Sequence, residues 1–346
     1  MHLAGAASSG LNFYTSGHAP EALLVDMDGA LVHRWRRAFR EIWPDYPVDD
    51  AHPGTQHWRR AHLYRDGDVL VIFEGLGLAR LDARSQLVWA NGLRAHHDLE
   101  VTDDGDILVL AREARVIPRV HPRDPVLEDF VVVLGPDGRE KRRVSILEAA
   151  ERSGFPGLWQ GTVGRSGDLY HTNTLHLLQG RAAGDASSFA AGNVLLHMLS
   201  TGVTAVLDLE REKIVWARAT PARQHDPKIL RNGNLLIFLN DDEQPASRVL
   251  EYRSVTDRVV WSYAGTPDAP FYSPTCGAAQ RLPNGNTLVT ESDAGRAFEV
   301  MKDGTLVWEF FNPHRAGEEG SLIATLFEMV RLPADFPVGW ADPEGR

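Results

Sequence analysis

Hydrophobic and polar residues along this chain are arranged in short runs that predict strands. Residues 68–73 read Asp-Val-Leu-Val-Ile-Phe, and comparable apolar runs begin at residues 106, 234 and 286. Each run directly follows an Asp-Gly or Asn-Gly pair, which is a strong local signal for a hairpin. We expect each pair to form a two-residue type I′ turn, which needs a positive φ at both central positions. The pairs are Asp66-Gly67, Asp104-Gly105, Asn232-Gly233 and Asn284-Gly285.

A strand that ends in an aliphatic residue, Val and Trp recurs along the chain. The ending is found at Trp89, Trp216, Trp261 and Trp308, and the last three lie about 46 residues apart. Four-stranded units of this length are typical of β-propeller blades. The longer interval before Trp216 contains a degenerate unit in which residues 142–144, Arg-Arg-Val, replace the tryptophan ending. We expect the tryptophans to lie on outer strands and to pack between blades.

The repeats predict an all-β fold, a six-bladed β-propeller that forms a single domain over residues 1–346. Residues 22–35 imitate the strand, turn and Val-Trp ending of the other units, so N-terminal strands are expected to complete the last blade and close the ring. Residues 144–155 are expected to form a helical insertion that begins with a capping box. The predicted blades cover about 56–92, 94–146, 168–219, 222–265, 273–312, and 322–332 together with 13–37.

Composition and charge narrow the possible functions. The chain has 36 Lys and Arg against 47 Asp and Glu, a net charge of -11, so no nucleic-acid partner is expected. Its single cysteine, Cys276, excludes an intramolecular disulfide and a cysteine-based zinc finger. No stretch approaches 18 apolar residues and the N-terminus lacks a signal-peptide pattern, so the sequence predicts a soluble, cytoplasmic protein without a membrane partner.

Histidines occur in register at the expected start of the inner strands. Eight residues before the turn glycine stand Arg59, His97 and His225 in three of the units, and Gly277 in a fourth. The third unit has lost its turn signal, but His171 stands at the matching start of its inner strand. Because inner strands line the central channel of a propeller, His97, His171 and His225 are expected to face a common axis.

In the residues that carry these motifs, the chain resembles the bacterial arylsulfotransferase family over nearly its whole length. The resemblance implies a six-bladed propeller that transfers a sulfuryl group between small phenolic compounds by a ping-pong reaction, with no nucleotide donor and no cofactor. A channel histidine would take the sulfuryl group. The matching segments are His96-His97-Asp98, His171-Thr172-Asn173, Gln224-His225-Asp226, residues 247–251 (Ser-Arg-Val-Leu-Glu), residues 271–274 (Phe-Tyr-Ser-Pro) and residues 280–288 (Gln-Arg-Leu-Pro-Asn-Gly-Asn-Thr-Leu).

The resemblance also implies roles for individual residues. A sulfuryl group in transfer spreads negative charge over its oxygens, and Arg248 offers a forked set of donors for them. Imidazole titrates near neutral pH, and His225 is the best candidate for acid–base or oxyanion contact. The implied catalytic set is His97, His171, His225 and Arg248, and the implied substrate contacts are Arg59, Asn173, Thr275 and Cys276.

One departure from the family pattern affects the chemistry. Where the family has Ser-Pro-His, with that histidine as the sulfated nucleophile, this chain has Ser273-Pro274-Thr275 followed by Cys276. A threonine hydroxyl is a poor nucleophile without an adjacent base. Another histidine could therefore replace the nucleophile, Cys276 could enter the chemistry, or the scaffold could serve a different use.

Two other functions are compatible with the same residues. His97, His171 and His225 could bind a transition metal in a propeller enzyme, with Cys276 or Asp98 as a further ligand or an outer-sphere partner. Alternatively, the propeller could bind a ligand or a protein partner without catalysis, because propellers have many unrelated roles.

Overall fold

The computed structural model describes residues 1–182, 187–219, 223–241, 246–253, 258–267 and 269–342. Strands predominate within these residues, and the helices are short. No helix in the described part of the chain is long and apolar enough to cross a membrane. The predicted start of the fourth repeat, residue 222, lies outside the described residues.

The N-terminal segment contributes strands β1 (Asn12–Ser16), β2 (Glu21–Val25) and β3 (Leu31–Arg36), then the one-turn helices α1 (Phe39–Ile42) and α2 (Pro53–Gln56). Blade 1 consists of β4 (Arg60–Leu63), β5 (Val69–Phe73), β6 (Gly77–Leu81) and β7 (Leu87–Asn91). Its strands pair in chain order as an antiparallel meander.

Blade 2 consists of β8 (Ala95–Val101), β9 (Ile107–Arg115), β10 (Val126–Leu134) and β11 (Glu140–Ser145). Helices α3 (Ile146–Glu151) and α4 (Pro156–Gln160) follow, and the Ser145 hydroxyl caps α3 by accepting the Glu148 amide at 3.1 Å. The two-residue strand β12 (Gly167–Asp168) then pairs in parallel with β10. Blade 3 consists of β13 (Thr172–Leu177), a 3₁₀ turn (Ser187–Phe189), β14 (Val194–Met198), β15 (Val203–Asp208) and β16 (Lys213–Ala219).

Blade 4 consists of β17 (Arg223–Ile229), β18 (Leu235–Asp241), β19 (Ala246–Tyr252) and β20 (Val259–Ala264). Blade 5 consists of β21 (Ala278–Arg281), β22 (Thr287–Glu291), β23 (Arg296–Val300) and β24 (Leu306–Phe311). A two-stranded ribbon of β25 (Arg315–Ala316) and β26 (Leu322–Ile323), with a 3₁₀ turn (Glu318–Gly320) between them, precedes the last strand, β27 (Leu326–Arg331).

The last blade combines strands from both ends of the chain. Strand β27 is followed in the sheet by β1, β2 and β3, and β1 pairs antiparallel with β27. This arrangement confirms the predicted six-bladed β-propeller, closed by N-terminal strands. The chain divides into two compact units, which are described separately below. Unit 1 is Met1–Gly92, Asn240–Val249 and Trp261–Arg346, and unit 2 is Leu93–Leu239 and Leu250–Val260.

The Asp-Gly and Asn-Gly turns connect the first two strands of four blades, but their predicted geometry is wrong. Only the glycines have a positive φ, between 82° and 92°, and the preceding Asp or Asn residues do not. In blade 1 the Tyr64 amide donates to the Asp68 carbonyl at 2.9 Å and the Gly67 amide donates to the Tyr64 carbonyl at 3.1 Å. This pattern is a type I turn followed by a glycine bulge. The Asp66 carboxylate accepts the Asp68 amide, which favours this alternative.

Tryptophans of the repeat lie between neighbouring blades, as predicted, at three positions in unit 1. The Trp35 indole donates to the Gly67 carbonyl at 2.9 Å, so blade 6 is joined to blade 1. Trp261 donates to the Lys302 carbonyl at 2.8 Å, and Trp308 donates to the Met27 carbonyl at 2.7 Å. Each buried ring thus has its one polar atom satisfied by the next blade.

A buried ion pair joins blades 5 and 6 within unit 1. Arg331, on β27, lies 3.1 Å from Glu299, on β23, and the two side chains are 1% and 0% exposed. The same guanidinium donates to the Asn12 amide oxygen and the Ser8 carbonyl. It also lies over the Trp308 ring, 4.6 Å from the centroid. The pair therefore holds the N-terminal segment against the strands that close the ring.

Candidate functional site

Each of three inner strands of unit 2 has a residue in the left-handed region of backbone space within it or directly before it. His97, His171 and Asp226 have φ values of 55°, 49° and 57°, and they belong to blades 2, 3 and 4. Irregular pairing interrupts β8 near His97 and β13 just after His171. Left-handed non-glycine residues and bulges are concentrated at functional sites, where the surrounding structure holds them in place. The predicted histidine positions 97 and 171 therefore share a distinctive backbone.

His171 is held by the carboxylate of Asp168. Its ring Nδ1 lies 2.7 Å from Asp168 Oδ2, and its backbone amide donates to Oδ1 at 2.8 Å. Burial raises the pKa of Asp168, but the hydrogen bond and charge of His171, together with Arg112, outweigh it, so the pKa lies below its ordinary value. An ionised carboxylate accepts hydrogen bonds, so Nδ1 carries the proton and Nε2 of the neutral ring has the lone pair. With 35% of its side chain exposed, His171 is accessible.

A second chain of contacts links Arg112, His96 and His97. Arg112 Nη2 donates to His96 Nδ1 at 2.7 Å, and because a guanidinium has no acceptor, that nitrogen carries no proton. His97 Nδ1 lies 3.0 Å from the same atom and 3.5 Å from Arg112 Nη2, and the shorter of the two contacts favours a proton on His97 Nδ1. The proton of His96 is then on Nε2, which lies 3.6 Å from Asp129 Oδ1.

The two histidine systems meet in unit 2. The rings of His97 and His171 are 4.9 Å apart between centroids, at an interplanar angle of 74°. Arg112 lies between their carboxylates, with Nη1 3.7 Å from Asp168 and Nε 4.0 Å from Asp129. Burial raises the pKa of Asp129 to about 6, against the opposing effects of Arg112 and the hydrogen bonds from Thr172. The arrangement places two imidazole rings beside a permanent cation.

His225 and Asn173 lie on the neighbouring inner strands β17 and β13, and both are buried. Asn173 Nδ2 donates to the carbonyl of Gln224 at 3.0 Å, so it positions the backbone next to His225. The Thr174 hydroxyl donates to Asn173 Oδ1 at 3.1 Å and accepts the Asp226 amide at 3.1 Å. These bonds fix the two strands relative to one another.

His197, on β14, gives unit 2 a pH-dependent stability. It is fully buried, its Nδ1 lies 3.0 Å from Thr204 Oγ1, and burial lowers its pKa to about 3. Below pH 6.5 the unfolded chain binds a proton at this position that the folded chain does not. The free energy of unfolding therefore decreases as the pH is lowered. Between pH 6.5 and 5 we expect the free energy of unfolding to decrease by about 2 kcal/mol less in His197→Gln than in the wild type, as measured by urea unfolding. The exposed His2→Gln is the control, and an unchanged pH dependence in His197→Gln would contradict the assignment.

In unit 1, Arg59 and Cys276 come together. Arg59 Nη2 lies 3.5 Å from Cys276 Sγ, and the guanidinium is 4.9 Å from the centroid of the Phe327 ring. His57 stacks on the same ring, with centroids 4.8 Å apart. Burial and the charge of Arg59 lower the pKa of His57 to about 4, although Glu74 opposes them, so His57 is neutral at pH 7. Cys276 itself has a left-handed backbone, with φ 54°.

Thr275 has a carboxylate partner that the sequence analysis did not identify. Its hydroxyl donates to Asp293, 3.0 Å from Oδ1 and 2.9 Å from Oδ2, and its amide donates to Oδ2 at 2.7 Å. Asp293 also accepts the Ser273 hydroxyl at 3.2 Å. The buried amide of Asn240 donates to the carbonyls of Ser273 and Cys276 at 2.7 and 2.8 Å. The exposed Thr275 thus lies in a tightly bonded loop.

Arg248 lies on β19, the third strand of its blade, and is exposed. The guanidinium that contacts His96 and His97 in unit 2 is Arg112, which sequence reasoning missed. A signal was present, because Arg112 interrupts an apolar run that begins at Ile107. Asp168 was also missed, although its position three residues before His171 could have indicated a carboxylate–histidine pair.

Comparison with known proteins is consistent with this fold. The chain superposes on a protein of unknown function from Bacteroides caccae with a TM-score of 0.55 and 11% identity, over 88% of this chain and 94% of that one. Virginiamycin B lyase from Staphylococcus aureus gives a TM-score of 0.46 at 10% identity, over 95% and 98%. At 11% identity, the first likeness shows the fold alone.

No curated protein sequence matches the chain. The model of one protein family does match it, under the description arylsulfotransferase (ASST), over residues 60–313. The match runs from the start of blade 1 to just beyond blade 5, so it covers most of the propeller. The chain therefore belongs to the arylsulfotransferase family.

Proposed function

We propose that this protein transfers a sulfuryl group from an aryl sulfate to a phenol, with His171 as the residue that carries the group. The observation that supports this role is the pairing of His171 Nδ1 with Asp168 at 2.7 Å, which directs the lone pair to Nε2. A nucleophile oriented by a hydrogen-bonded partner is the usual arrangement for covalent catalysis. Partial exposure gives a small substrate access to the ring.

The reaction has two balanced half-steps. In the first, Nε2 of His171 attacks sulfur, an N–S bond forms, and the S–O bond to the aryl group breaks as the phenolate leaves with the electron pair. In the second, the oxygen of an acceptor phenol attacks sulfur and the N–S bond breaks. The acceptor proton passes to a base, and His97, whose ring centroid lies 4.9 Å from that of His171, is the proposed base.

Arg112 is proposed to stabilise the sulfuryl oxygens as charge builds on them. It is a permanent cation 3.5 Å from His97 Nδ1 and 3.7 Å from Asp168, the partner of His171. Fixed cations of this kind supply much of the catalysis in group transfer. In the sequence analysis the contact with the sulfuryl oxygens was assigned to Arg248, and the present assignment adds Arg112 to the predicted catalytic set. His225 and Arg248 remain proposed catalytic residues. The proposed substrate contacts remain Arg59, Asn173, Thr275 and Cys276.

The environment of Thr275 supports moving the covalent step to a histidine. Both oxygens of Asp293 accept its hydroxyl, and the same carboxylate accepts its amide and the Ser273 hydroxyl. A threonine hydroxyl is a poor nucleophile without a strong base beside it. The residue at the family's nucleophile position is thus held as part of a loop.

An assay with p-nitrophenyl sulfate and phenol tests the proposal. We expect release of p-nitrophenol that depends on phenol, together with formation of phenyl sulfate. In the absence of phenol, a peptide containing His171 should gain the mass of one SO₃ group. No nitrophenol release over a broad pH range would contradict the activity, and a sulfated peptide without His171 would contradict the assigned carrier.

A chelation experiment distinguishes this proposal from the alternative of a metal bound by His97, His171 and His225. We expect the activity to survive dialysis against a chelator. Activity that is lost on chelation and restored by zinc would instead support metal-dependent chemistry at these histidines.

A further inference from the structure

A compact group of potential metal ligands lies in unit 1 and includes none of the residues assigned above. It consists of His18 in the turn between β1 and β2, Glu21 at the start of β2, and His314 after β24. One ligand atom from each residue lies within 4.8 Å of the others. We propose that His18, Glu21 and His314 bind a divalent transition metal such as Zn²⁺. Two imidazoles and one carboxylate form a common zinc ligand set that leaves a position for water.

Neighbouring polar groups already orient these ligands. Ser16 Oγ lies 2.7 Å from His18 Nδ1, so His18 Nε2 is directed to Glu21 Oε1, also at 2.7 Å. The buried Asn312 donates to Ser16 Oγ at 2.9 Å and accepts the His314 amide at 3.3 Å. One asparagine thus supports both histidines. Partners of this kind, which fix the ring orientation of a metal-binding histidine, are typical of metal sites.

The surroundings of Glu21 leave one of its oxygens for a metal ion. Arg34 and Arg36 lie 3.9 and 4.0 Å from Oε2 of Glu21, whereas Oε1 faces His18 Nε2 at 2.7 Å.

Two rearrangements are required for binding. The proton between His18 Nε2 and Glu21 Oε1, which lie 2.7 Å apart, must leave so that both atoms can ligate the metal. The rings of His18 and His314 are stacked, with centroids 3.5 Å apart and an interplanar angle of 5°. Because an imidazole lone pair lies in the plane of its ring, a metal cannot lie in both planes, and the partly exposed His314 must rotate. The bound ion would then join the β1–β2 turn to the segment after blade 5. These segments are far apart in sequence, since their hydrogen-bonded residues Ser16 and Asn312 are separated by 296 positions.

Zinc binding to the tag-free full chain, by equilibrium dialysis and elemental analysis at pH 7.5, tests the proposal. We expect one equivalent of zinc and a higher thermal unfolding midpoint in its presence, because a ligand bound only by the folded state stabilises it. His314→Ala and His18→Gln should each bind zinc at least about 100-fold more weakly, since loss of even an outer partner costs about 10–100-fold. For the same reason Ser16→Ala should weaken binding about 10-fold or more.

Control variants and a check of folding make the result decisive. His2→Ala removes another exposed histidine of unit 1 and should bind zinc as the wild type does. Retention of the wild-type affinity in both His314→Ala and His18→Gln would overturn the proposal, as would failure of the wild type to bind one equivalent. Loss of zinc in His97→Gln with retention in His314→Ala would place the metal elsewhere and also overturn it. Near-ultraviolet circular dichroism confirms that each variant is folded.

Discussion

His171→Gln is expected to lower kcat/KM for aryl-sulfate transfer on the order of 10⁴-fold or more, because the variant loses the nitrogen that carries the sulfuryl group. The covalent half-reaction should disappear with it, so no sulfated protein should form when the acceptor phenol is omitted. The measurement combines steady-state release of p-nitrophenol with mass spectrometry of the intact protein. Residual activity near the wild-type level would contradict the assignment of His171 as the nucleophile.

A matched control is available on the same strand. His176 lies on β13 with its Nδ1 3.3 Å from Glu100, and the proposed reaction does not use it. His176→Gln should therefore retain the wild-type rate, which would show that the loss in His171→Gln does not arise from general damage to β13. A comparable loss in both variants would mean that His171 acts through the structure of the strand.

Asp168→Asn separates the orienting role of the carboxylate from the covalent role of the histidine. An amide can donate as well as accept, so it no longer forces the His171 proton onto Nδ1. By comparison with other carboxylate–histidine pairs, we expect kcat to fall by about 10²–10⁴-fold while KM changes little. The sulfated His171 peptide should still form, but slowly. A change confined to KM would show that Asp168 contributes to substrate binding only.

Much of the fold could be predicted because each blade is a local repeat. The Asp-Gly and Asn-Gly pairs and the Val-Trp endings are short-range signals, and an N-terminal copy of them indicated how the ring closes. The type I′ turn was a wrong prediction because the choice between turn types depends on a single backbone angle. The side chain of Asp66, which accepts the Asp68 amide, favours a right-handed φ at that position.

The candidate site could be predicted only in part, for a physical reason. His97 and His171 stand at equivalent points of the repeat, so register alone brought them together. Arg112 and Asp168 have no equivalent in that register, because one lies on a second strand and the other on the short strand β12. Their contacts with the histidines depend on tertiary packing. The same holds for Asp293 beside Thr275, which is 18 residues away in sequence.

Arg331→Met is expected to lower the free energy of unfolding by about 3–5 kcal/mol. The reason is that the fully buried Glu299 would lose its cationic partner, 3.1 Å away in the wild type. The Asn12 amide oxygen and the Ser8 carbonyl would also each lose a donor. The measurement is chemical unfolding, with Arg139→Met, at an exposed surface pair with Asp137, as the control that should change by less than about 1 kcal/mol.

A double variant tests whether the uncompensated charge is the cause. In Arg331→Met/Glu299→Leu neither charge is buried, so the combined loss should be smaller than the sum of the two single losses by about 1–3 kcal/mol. Full recovery is not expected, because Glu299 also accepts the amides of Ser8 and Asn286, at 2.8 and 2.7 Å. Additive losses would contradict the charge argument and would assign the effect to packing of the Arg331 side chain over Trp308.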